Sequence, residues 1–367
     1  MFKTIHRVEC SPALAACQQL IRTFSLWLCN PATTPASLTQ PGLQPPVLPS
    51  AIEADWLWTF LQRVDAGRQL LDLARELAAM PNTEKAALTS WVQSVSDLAA
   101  QFKPAPAAWP IDCPLAIGAN WSAFRTVIEA FYEKGFRSGL PYLPNGTPVA
   151  AGGVTYADFV RAFRSAHSRS NAPHARQVCI LCSGPLGDTP HVDHWVTKSA
   201  FPLLSVCQDN LTVICSTCNE APNKGDKPVH SAGNFSNWFH PYLRPAHGTL
   251  QLVYDAHAVA VRCSSVEVAD HPKAANLNKL LDLDARWTRE LKAEYEKHQE
   301  ILRRREAWRV SNAQVGHTLT ELNAYIQQWA DDLLPSEPYH EVHATLAQAV
   351  LEPSRMEAWL EELAIVQ

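Results

Sequence analysis

Apolar side chains recur at intervals of three and four residues along much of this chain, a spacing typical of amphipathic helices. The spacing is clearest in residues 51–103, and we expect these residues and residues 1–30 to pack as a small helical bundle. Pro81 followed by Asn82 is typical of a helix start. Residues 30–51 are uncharged and rich in Pro, Thr and Ser, which predicts a linker or an extended surface arm.

Two further amphipathic helices are predicted before the centre of the chain. One covers residues 121–137, and the other covers residues 155–167 with Thr155 as its N-cap. After the centre, residues 250–263 alternate between apolar and polar types. This alternation predicts a two-stranded hairpin that turns near residues 255–258.

From Pro272 onward the sequence is helical in pattern and strongly charged. The first part, up to Val310, predicts either one long amphipathic helix or two shorter helices. Residues 319–334 and 355–367 have the pattern of bundle helices. Three consecutive arginines, Arg303 to Arg305, are interleaved with acids and are read as a solvated helix face.

The length of 367 residues and the hydrophobic content of 47% are enough for two or three domains. We expect an α+β fold that is predominantly α-helical, with a small central module between helical regions. The predicted boundaries are 1–154, 155–265 and 266–367. A net charge of -5 gives no overall attraction for nucleic acid, so binding of nucleic acid would need local basic patches.

Ten cysteines occur, and four of them form two Cys-x-x-C pairs, Cys179 with Cys182 and Cys215 with Cys218. Four thiolates in this spacing are the donor set of a structural Zn²⁺ site. The other six cysteines are scattered in apolar contexts, which favours a reducing cytoplasm over a disulfide framework. We expect no export signal and no membrane span, since no apolar run is long enough.

Harder ligand types occur between the two cysteine pairs and directly after the second pair. Asp193, His194, Asn210 and Asn219 are suited to a second, catalytic metal ion. Neighbouring side chains in a regular strand point to opposite faces, so an Asp-His pair acting on one phosphate is expected at a strand end or a bulge. Taken alone, such a histidine is more often a buried structural residue.

Residues 175–245 resemble the HNH (ββα-metal) endonuclease family. The resemblance rests on HVDHWVTKSAFP, then DNL, then CSTCN followed by NKGDK. It implies a β-hairpin followed by a helix that grips one divalent ion, with the cysteine pairs clamping the module.

The resemblance also implies roles for individual residues. Asp193 would ligate the metal, His194 would be the general base, and Asn219 would be the second protein ligand. Asn210 would hold the loop and orient the base. Many family members have His at the position of Asn219, and the Asn found here favours Mg²⁺ or Mn²⁺.

Several residues near the Asp-His pair have two possible roles each. Lys198 and Lys224 approximate the lysine positions of the family and are assigned to phosphate contacts, although a solvated lysine is the simpler reading. Arg164, Arg169 and Arg176 belong to an acid-free basic stretch that either contacts phosphate or forms a solvated face. His191 either approaches the metal or phosphate or is a surface residue. Trp195, Phe201 and Pro202 are predicted to form the core of the module. His240 is predicted to pack the module onto its flanking helices, with metal ligation as the alternative.

The expected function is metal-dependent hydrolysis of nucleic acid, with DNA favoured over RNA. HNH modules with helical flanks resemble nucleases of bacterial anti-phage systems, often found beside an ATPase, so a regulatory protein partner of that kind is expected. The alternative is a non-catalytic, zinc-stabilised protein that binds nucleic acid or serves as a scaffold. Intact Asp193, His194 and Asn219 favour the enzyme.

Overall fold

Helices dominate the fold in the computed structural model, which describes residues 1–115, 118–172 and 175–364. Within these residues, three two-stranded antiparallel hairpins are the only sheets. The prediction of an α+β, mostly helical class is therefore confirmed. None of the described helices is both long and apolar enough to cross a membrane.

The N-terminal region is a helical bundle, as expected. Its helices are α1 (Ser11–Leu28), α2 (Gln40–Leu43), α3 (Ala51–Leu61), α4 (Leu70–Ala78), α5 (Asn82–Val95) and α6 (Ala119–Ala130). Helix α5 starts at the predicted Asn82, whereas α1 begins only at Ser11, directly before Pro12. Helix α6 continues into a π-helical turn, Phe131–Phe136, so the predicted helix over 121–137 is confirmed.

The apolar spacing over residues 55–80 predicts unbroken helix, and this prediction is wrong at one place. A short hairpin, in which β1 (Val64–Asp65) pairs with β2 (Arg68–Gln69), separates α3 from α4. Both turn residues have positive φ, 47° at Ala66 and 80° at Gly67. Two consecutive positive φ angles make a tight hairpin turn, which the apolar spacing on either side does not reveal.

Residues 30–51 are packed against the bundle, so their prediction as a linker or surface arm is wrong. The segment holds a 3₁₀ turn, Pro35–Ser37, and helix α2. Three of its leucines are fully buried: Leu38, Leu43 and Leu48. The buried Lys85 also donates to the carbonyl groups of Asn30 (3.1 Å) and Thr33 (2.7 Å). Apolar burial and satisfied carbonyl groups outweigh a composition typical of linkers.

The central region begins with α7 (Tyr156–Ala166), whose predicted cap is confirmed because Thr155 Oγ1 accepts from Asp158 N at 3.2 Å. It then contains β3 (His191–His194), β4 (Leu211–Ile214) and the short helix α8 (Ser216–Asn219). Strands β3 and β4 pair antiparallel, with Asp193 opposite Thr212. The predicted second hairpin is confirmed as β5 (Leu250–Asp255) with β6 (Ala260–Ser265).

The C-terminal region is helical. It contains α9 (His271–Leu281), α10 (Leu283–Ser311), α11 (Leu319–Asp332), α12 (His340–Val350) and α13 (Pro353–Ala364). Of the two alternatives after Pro272, two helices are correct, because Asp282 adopts a left-handed conformation with φ 52° between α9 and α10. The end of the predicted last helix, residues 365–367, lies outside the described residues.

Candidate metal centre and adjoining cleft

The four cysteines of the two Cys-x-x-C pairs form one buried cluster. Their sulfur atoms all lie within 4.8 Å of one another. Two of the cross-pair separations are 4.0 Å, between Cys179 and Cys218, and 3.8 Å, between Cys182 and Cys215. A tetrahedral site with metal–sulfur bonds of about 2.3 Å has sulfur–sulfur edges of about 3.8 Å. The cluster therefore has the dimensions to hold a metal ion.

The C-terminal helices fix the first cysteine pair in place. Trp287 Nε1 donates to the carbonyl of Cys182 at 2.8 Å, and Tyr339 N donates to the carbonyl of Ser183 at 2.7 Å. Gly184 passes so close to Tyr339 that an added Cβ would lie 2.7 Å from Cζ of its ring. The four-cysteine cluster is therefore held between the central region and the C-terminal helices.

The Asp-His pair lies at the end of β3, as the sequence predicts. Asp193 and His194 are its last two residues, and both are buried, with exposed fractions of 5% and 7%. The chain leaves the strand immediately afterwards through residues 195–210, which include the 3₁₀ turn Pro202–Leu204. This departure lets two adjacent side chains face the same hollow, which a continuing strand would forbid.

That hollow is a cleft of about 330 Å³. It brings together three residues that the sequence predicts as site residues: Asp193, His194 and Asn219. The two predicted lysines, Lys198 and Lys224, also line the cleft. The other lining residues are Tyr132, Val192, Thr197, Gly225 and Asp226. Asn219 is the last residue of α8, so the short helix delivers it next to the end of the hairpin.

His194 is held by a backbone carbonyl. Its Nε2 lies 2.9 Å from the carbonyl oxygen of Ser205. Burial lowers the pKa of His194 to about 3, and the nearby ammonium groups of Lys198 and Lys224 act in the same direction. The ring is therefore neutral at pH 7. Since Nε2 must carry the proton to donate to Ser205, Nδ1 keeps its lone pair.

Asn210 is fully buried and touches the loop rather than Asp193. Its Oδ1 accepts from Val196 N at 2.7 Å, and its Nδ2 donates to the carbonyl of Val196 at 2.8 Å and of Leu204 at 3.2 Å. Leu204 directly precedes Ser205, the acceptor of His194. Asn210 therefore fixes the segment that orients the histidine ring.

Asp193 has two carboxylate oxygens in different environments. Oδ1 accepts from Lys224 Nζ at 2.9 Å, whereas Oδ2 is buried and has no hydrogen-bond partner among the described residues. Burial raises the pKa of Asp193, and the Lys224 ammonium acts in the opposite direction. A buried carboxylate oxygen without a partner is the kind of atom that a bound cation satisfies.

Sequence reasoning missed Tyr132, Ser205 and the true position of Lys224. The ring of Tyr132 meets the His194 ring edge to face at a centroid distance of 4.6 Å, and its hydroxyl donates to the carbonyl of Val192 at 3.3 Å. Burial raises the pKa of Tyr132, so the hydroxyl stays protonated and keeps donating. Tyr132 lies in the π-helical turn, and such turns occur frequently at functional sites, but the apolar spacing of residues 121–137 predicts only an ordinary helix.

Lys224 differs from the sequence expectation. We expected a phosphate contact, but the side chain is only 1% exposed and its Nζ is engaged with Asp193 and with the carbonyl of His194. Lys198, in contrast, is partly exposed at the cleft, with Glu133 as its ion-pair partner and the Tyr132 ring beneath its Nζ at 4.8 Å.

The three arginines of the basic stretch lie elsewhere. Arg164 contacts Gln177, Arg169 pairs with Glu341 at 3.4 Å, and Arg176 lines a separate cavity beside α10 and α12. Within the described residues, these arginines do not line the cleft of Asp193.

The ring residues of the module have the packing role that the sequence predicts. Trp195, Phe201 and Pro202 are buried. His240 is fully buried, its Nδ1 accepts from Tyr242 N at 3.1 Å, and burial lowers its pKa to about 3. His191 is half-buried on β3 and is not part of the cleft lining as the described residues form it.

Comparison with known proteins leaves the site to be judged on its own geometry. No family model, no curated protein and no solved structure matches this chain.

Proposed function

We propose that this protein is a metal-dependent endonuclease of the HNH type, which hydrolyses phosphodiester bonds of nucleic acid, with DNA as the favoured substrate. One observation carries the proposal: Asp193, His194 and Asn219 line a single cleft. A carboxylate, a neutral imidazole and an amide oxygen are the groups that hydrolysis with one metal ion requires. A protein that only binds nucleic acid has no need of all three in one place.

The four-cysteine cluster would hold Zn²⁺ in a structural role. Four buried thiolates leave no open coordination position for a substrate or water, which is typical of structural zinc. Zinc of this kind contributes directly to the folding of small modules that bury little surface. Chemistry is therefore assigned to the cleft and not to the cluster.

A second ion, Mg²⁺ or Mn²⁺, would be held by Asp193 and Asn219. Both offer oxygen atoms, which these hard cations prefer. Asp193 Oδ2, which has no hydrogen-bond partner among the described residues, fits such a role. When bound, the cation would offset the negative charge that develops on the phosphate during hydrolysis.

His194 would act as the general base. Its Nδ1 holds the lone pair that takes a proton from water, and the carbonyl of Ser205 stabilises the positive charge that the ring then carries. Asn210 keeps that carbonyl in position. Lys198 is the partly exposed cation at the cleft and is assigned to a phosphate contact. The expected products carry a 5′-phosphate and a 3′-hydroxyl.

The biological setting is proposed from the resemblance alone. HNH modules with helical flanks resemble nucleases of bacterial anti-phage systems, and the helical regions here would then bind a regulatory partner such as an ATPase. Copurification from the native host with such a partner supports this setting. Unrestrained cleavage by the isolated chain, without any copurifying protein, would contradict it.

The deciding experiment is a cleavage assay with purified protein on plasmid, linear DNA, single-stranded DNA and RNA, with Mg²⁺ and with Mn²⁺. We expect His194→Ala to lower cleavage by about 10² to 10⁴-fold, the contribution of a positioned base. His191→Ala is the matched control, because His191 lies on the same strand but outside the cleft lining formed by the described residues. Equal cleavage by wild type and His194→Ala rejects the proposal.

One observation favours a second candidate, a non-catalytic protein that binds nucleic acid or serves as a scaffold. Lys224 neutralises Asp193 from within the fold, as it would if the carboxylate had only a structural task. This candidate predicts binding of nucleic acid without turnover under every metal condition. The same cleavage assay, combined with a binding measurement, separates the two.

A further inference from the structure

Lys224 is an unusually buried lysine. Its side chain is 1% exposed, and its Nζ lies 2.9 Å from Asp193 Oδ1 and 2.6 Å from the carbonyl oxygen of His194. Lysine is almost never fully buried unless it is paired. The ammonium group is therefore a built-in counter-charge of the Asp193 carboxylate.

The backbone holds Lys224 in this position. Lys224 N donates to the carbonyl of Cys218 at 3.2 Å, and Gly225 N donates to the carbonyl of Asn219 at 3.2 Å. Asn223 Nδ2 also donates to the carbonyl of Thr217 at 2.6 Å. The segment after α8 thus folds back over the helix and fixes the lysine from behind, so the ammonium is anchored rather than free to swing.

The pairing leaves Asp193 with one engaged and one available oxygen. Oδ1 accepts the hydrogen bond from Lys224 Nζ, and Oδ2 is buried without a hydrogen-bond partner among the described residues. A cation at Oδ2 would share the carboxylate with an ammonium group, and like charges repel strongly when both are shielded from water. The two cations therefore oppose each other at Asp193.

We propose that Lys224 keeps the affinity of the cleft for a divalent cation low until a phosphodiester supplies the missing negative charge, so that metal and nucleic acid bind cooperatively. This inference rests on the proposed function. Without nucleic acid, Lys224 already compensates Asp193. With a phosphate in the cleft, the added negative charge favours both the lysine and the divalent cation. Binding of each ligand then strengthens binding of the other by the same factor.

The test measures Mn²⁺ affinity of the full zinc-loaded chain by electron paramagnetic resonance or calorimetry, with and without a DNA oligonucleotide. All proteins carry His194→Ala so that the oligonucleotide stays intact. In this background, Lys224→Gln removes the charge but keeps a donor for Asp193 Oδ1. We expect it to tighten Mn²⁺ binding without DNA by about tenfold or more, and to reduce the gain in affinity that DNA produces.

Two further variants make the result specific. Lys227→Met removes the same charge from an exposed position in the same segment, and Mn²⁺ affinity should change by less than about twofold, since exposed charges are well screened. Lys224→Arg keeps the charge and should bind Mn²⁺ as the parent does. Zinc content and thermal melting show which variants are folded. If Lys224→Gln is not folded, the inference is tested on the Lys224→Arg and parent proteins. The absence of any effect of DNA on their Mn²⁺ affinity overturns the inference.

The outcomes distinguish this inference from the proposed function. If the parent protein binds no Mn²⁺ beyond its zinc site, with or without DNA, the proposed function fails. If the parent binds Mn²⁺ but Lys224→Gln leaves the affinity unchanged or weakens it, only the role of Lys224 as an opposing charge is rejected.

Discussion

Arg286 Nη1 lies 3.3 Å from Cys218 Sγ, which connects helix α10 to the four-cysteine cluster. Arg286 is 8% exposed, and its guanidinium group also donates to the carbonyl of Leu281 at 3.1 Å. Four thiolates around a divalent cation carry an excess of negative charge. A buried arginine beside one of them offsets this charge, and outer contacts of this kind commonly tune metal affinity.

We expect Arg286→Met to weaken zinc affinity by about 10- to 100-fold. The measurement is competition with a chromogenic chelator at pH 7.

Arg289→Met is the control for the change at Arg286, since Arg289 is an exposed residue of the same helix. Zinc retention in Arg289→Met should equal that of the wild type. Equal retention in Arg286→Met as well would show that the charge of Arg286 does not contribute to the cluster.

Cys215→Ser should lose the zinc ion and destabilise the central module, because the cluster joins the segment before β3 to the start of α8. Metal analysis should fall from one zinc per chain to none, and chelation of the wild type should produce the same loss of thermal stability. Cys263→Ser is the control, as Cys263 lies half-buried on β6 outside the cluster. Full zinc content in Cys215→Ser contradicts the assignment.

Asn210→Ala should lower the free energy of unfolding by about 2–4 kcal/mol, because it leaves buried groups of Val196 and Leu204 without partners. Urea unfolding measures the change. Asn237→Ala, at an exposed position outside the helices and strands, should stay within about 0.5 kcal/mol of the wild type.

The same Asn210→Ala protein should also cleave more slowly, because the carbonyl that orients His194 follows Leu204 directly. Zinc content should not change. Normal cleavage by an Asn210→Ala protein that is destabilised would contradict the connection between the loop and the base that we infer.

Lys198→Ala should weaken nucleic-acid binding about equally for all sequences and reduce the slope of log affinity against log salt by about 1, as expected for one lost phosphate contact. Fluorescence anisotropy over a salt series measures this slope. Lys103→Ala removes an exposed lysine that is not among the described lining of the cleft and should leave the slope unchanged. An unchanged slope in Lys198→Ala would show that its pairing with Glu133 is its only role.

Sequence signals correctly predicted those features whose atoms lie close together along the chain. The atoms of each Cys-x-x-C pair, and those of the Thr155 cap of α7, lie within one turn of chain. That the two pairs share one cluster was expected because zinc prefers four thiolates. The position of Asp193 and His194 at a strand end followed from the alternation of side chains in a strand. The domain boundaries at 154 and 265 stay predictions.

Composition misled where burial decides the outcome. Residues 30–51 read as a linker, yet their leucines fill the bundle. The break at Ala66 and Gly67 was equally hidden, because apolar spacing reports which side chains are buried and not where the chain turns.

The sequence by itself determined the four cysteines of the cluster and three of the residues that line the cleft, Asp193, His194 and Asn219. Only the tertiary structure decided how these residues are supported: Tyr132 against His194, Ser205 as its acceptor, Arg286 beside Cys218 and Lys224 on Asp193. These partners come from distant segments, and the folding of the chain alone brings them together. The physical reason is that a buried charge or polar atom must find a partner in space, and no local pattern records which distant residue supplies it.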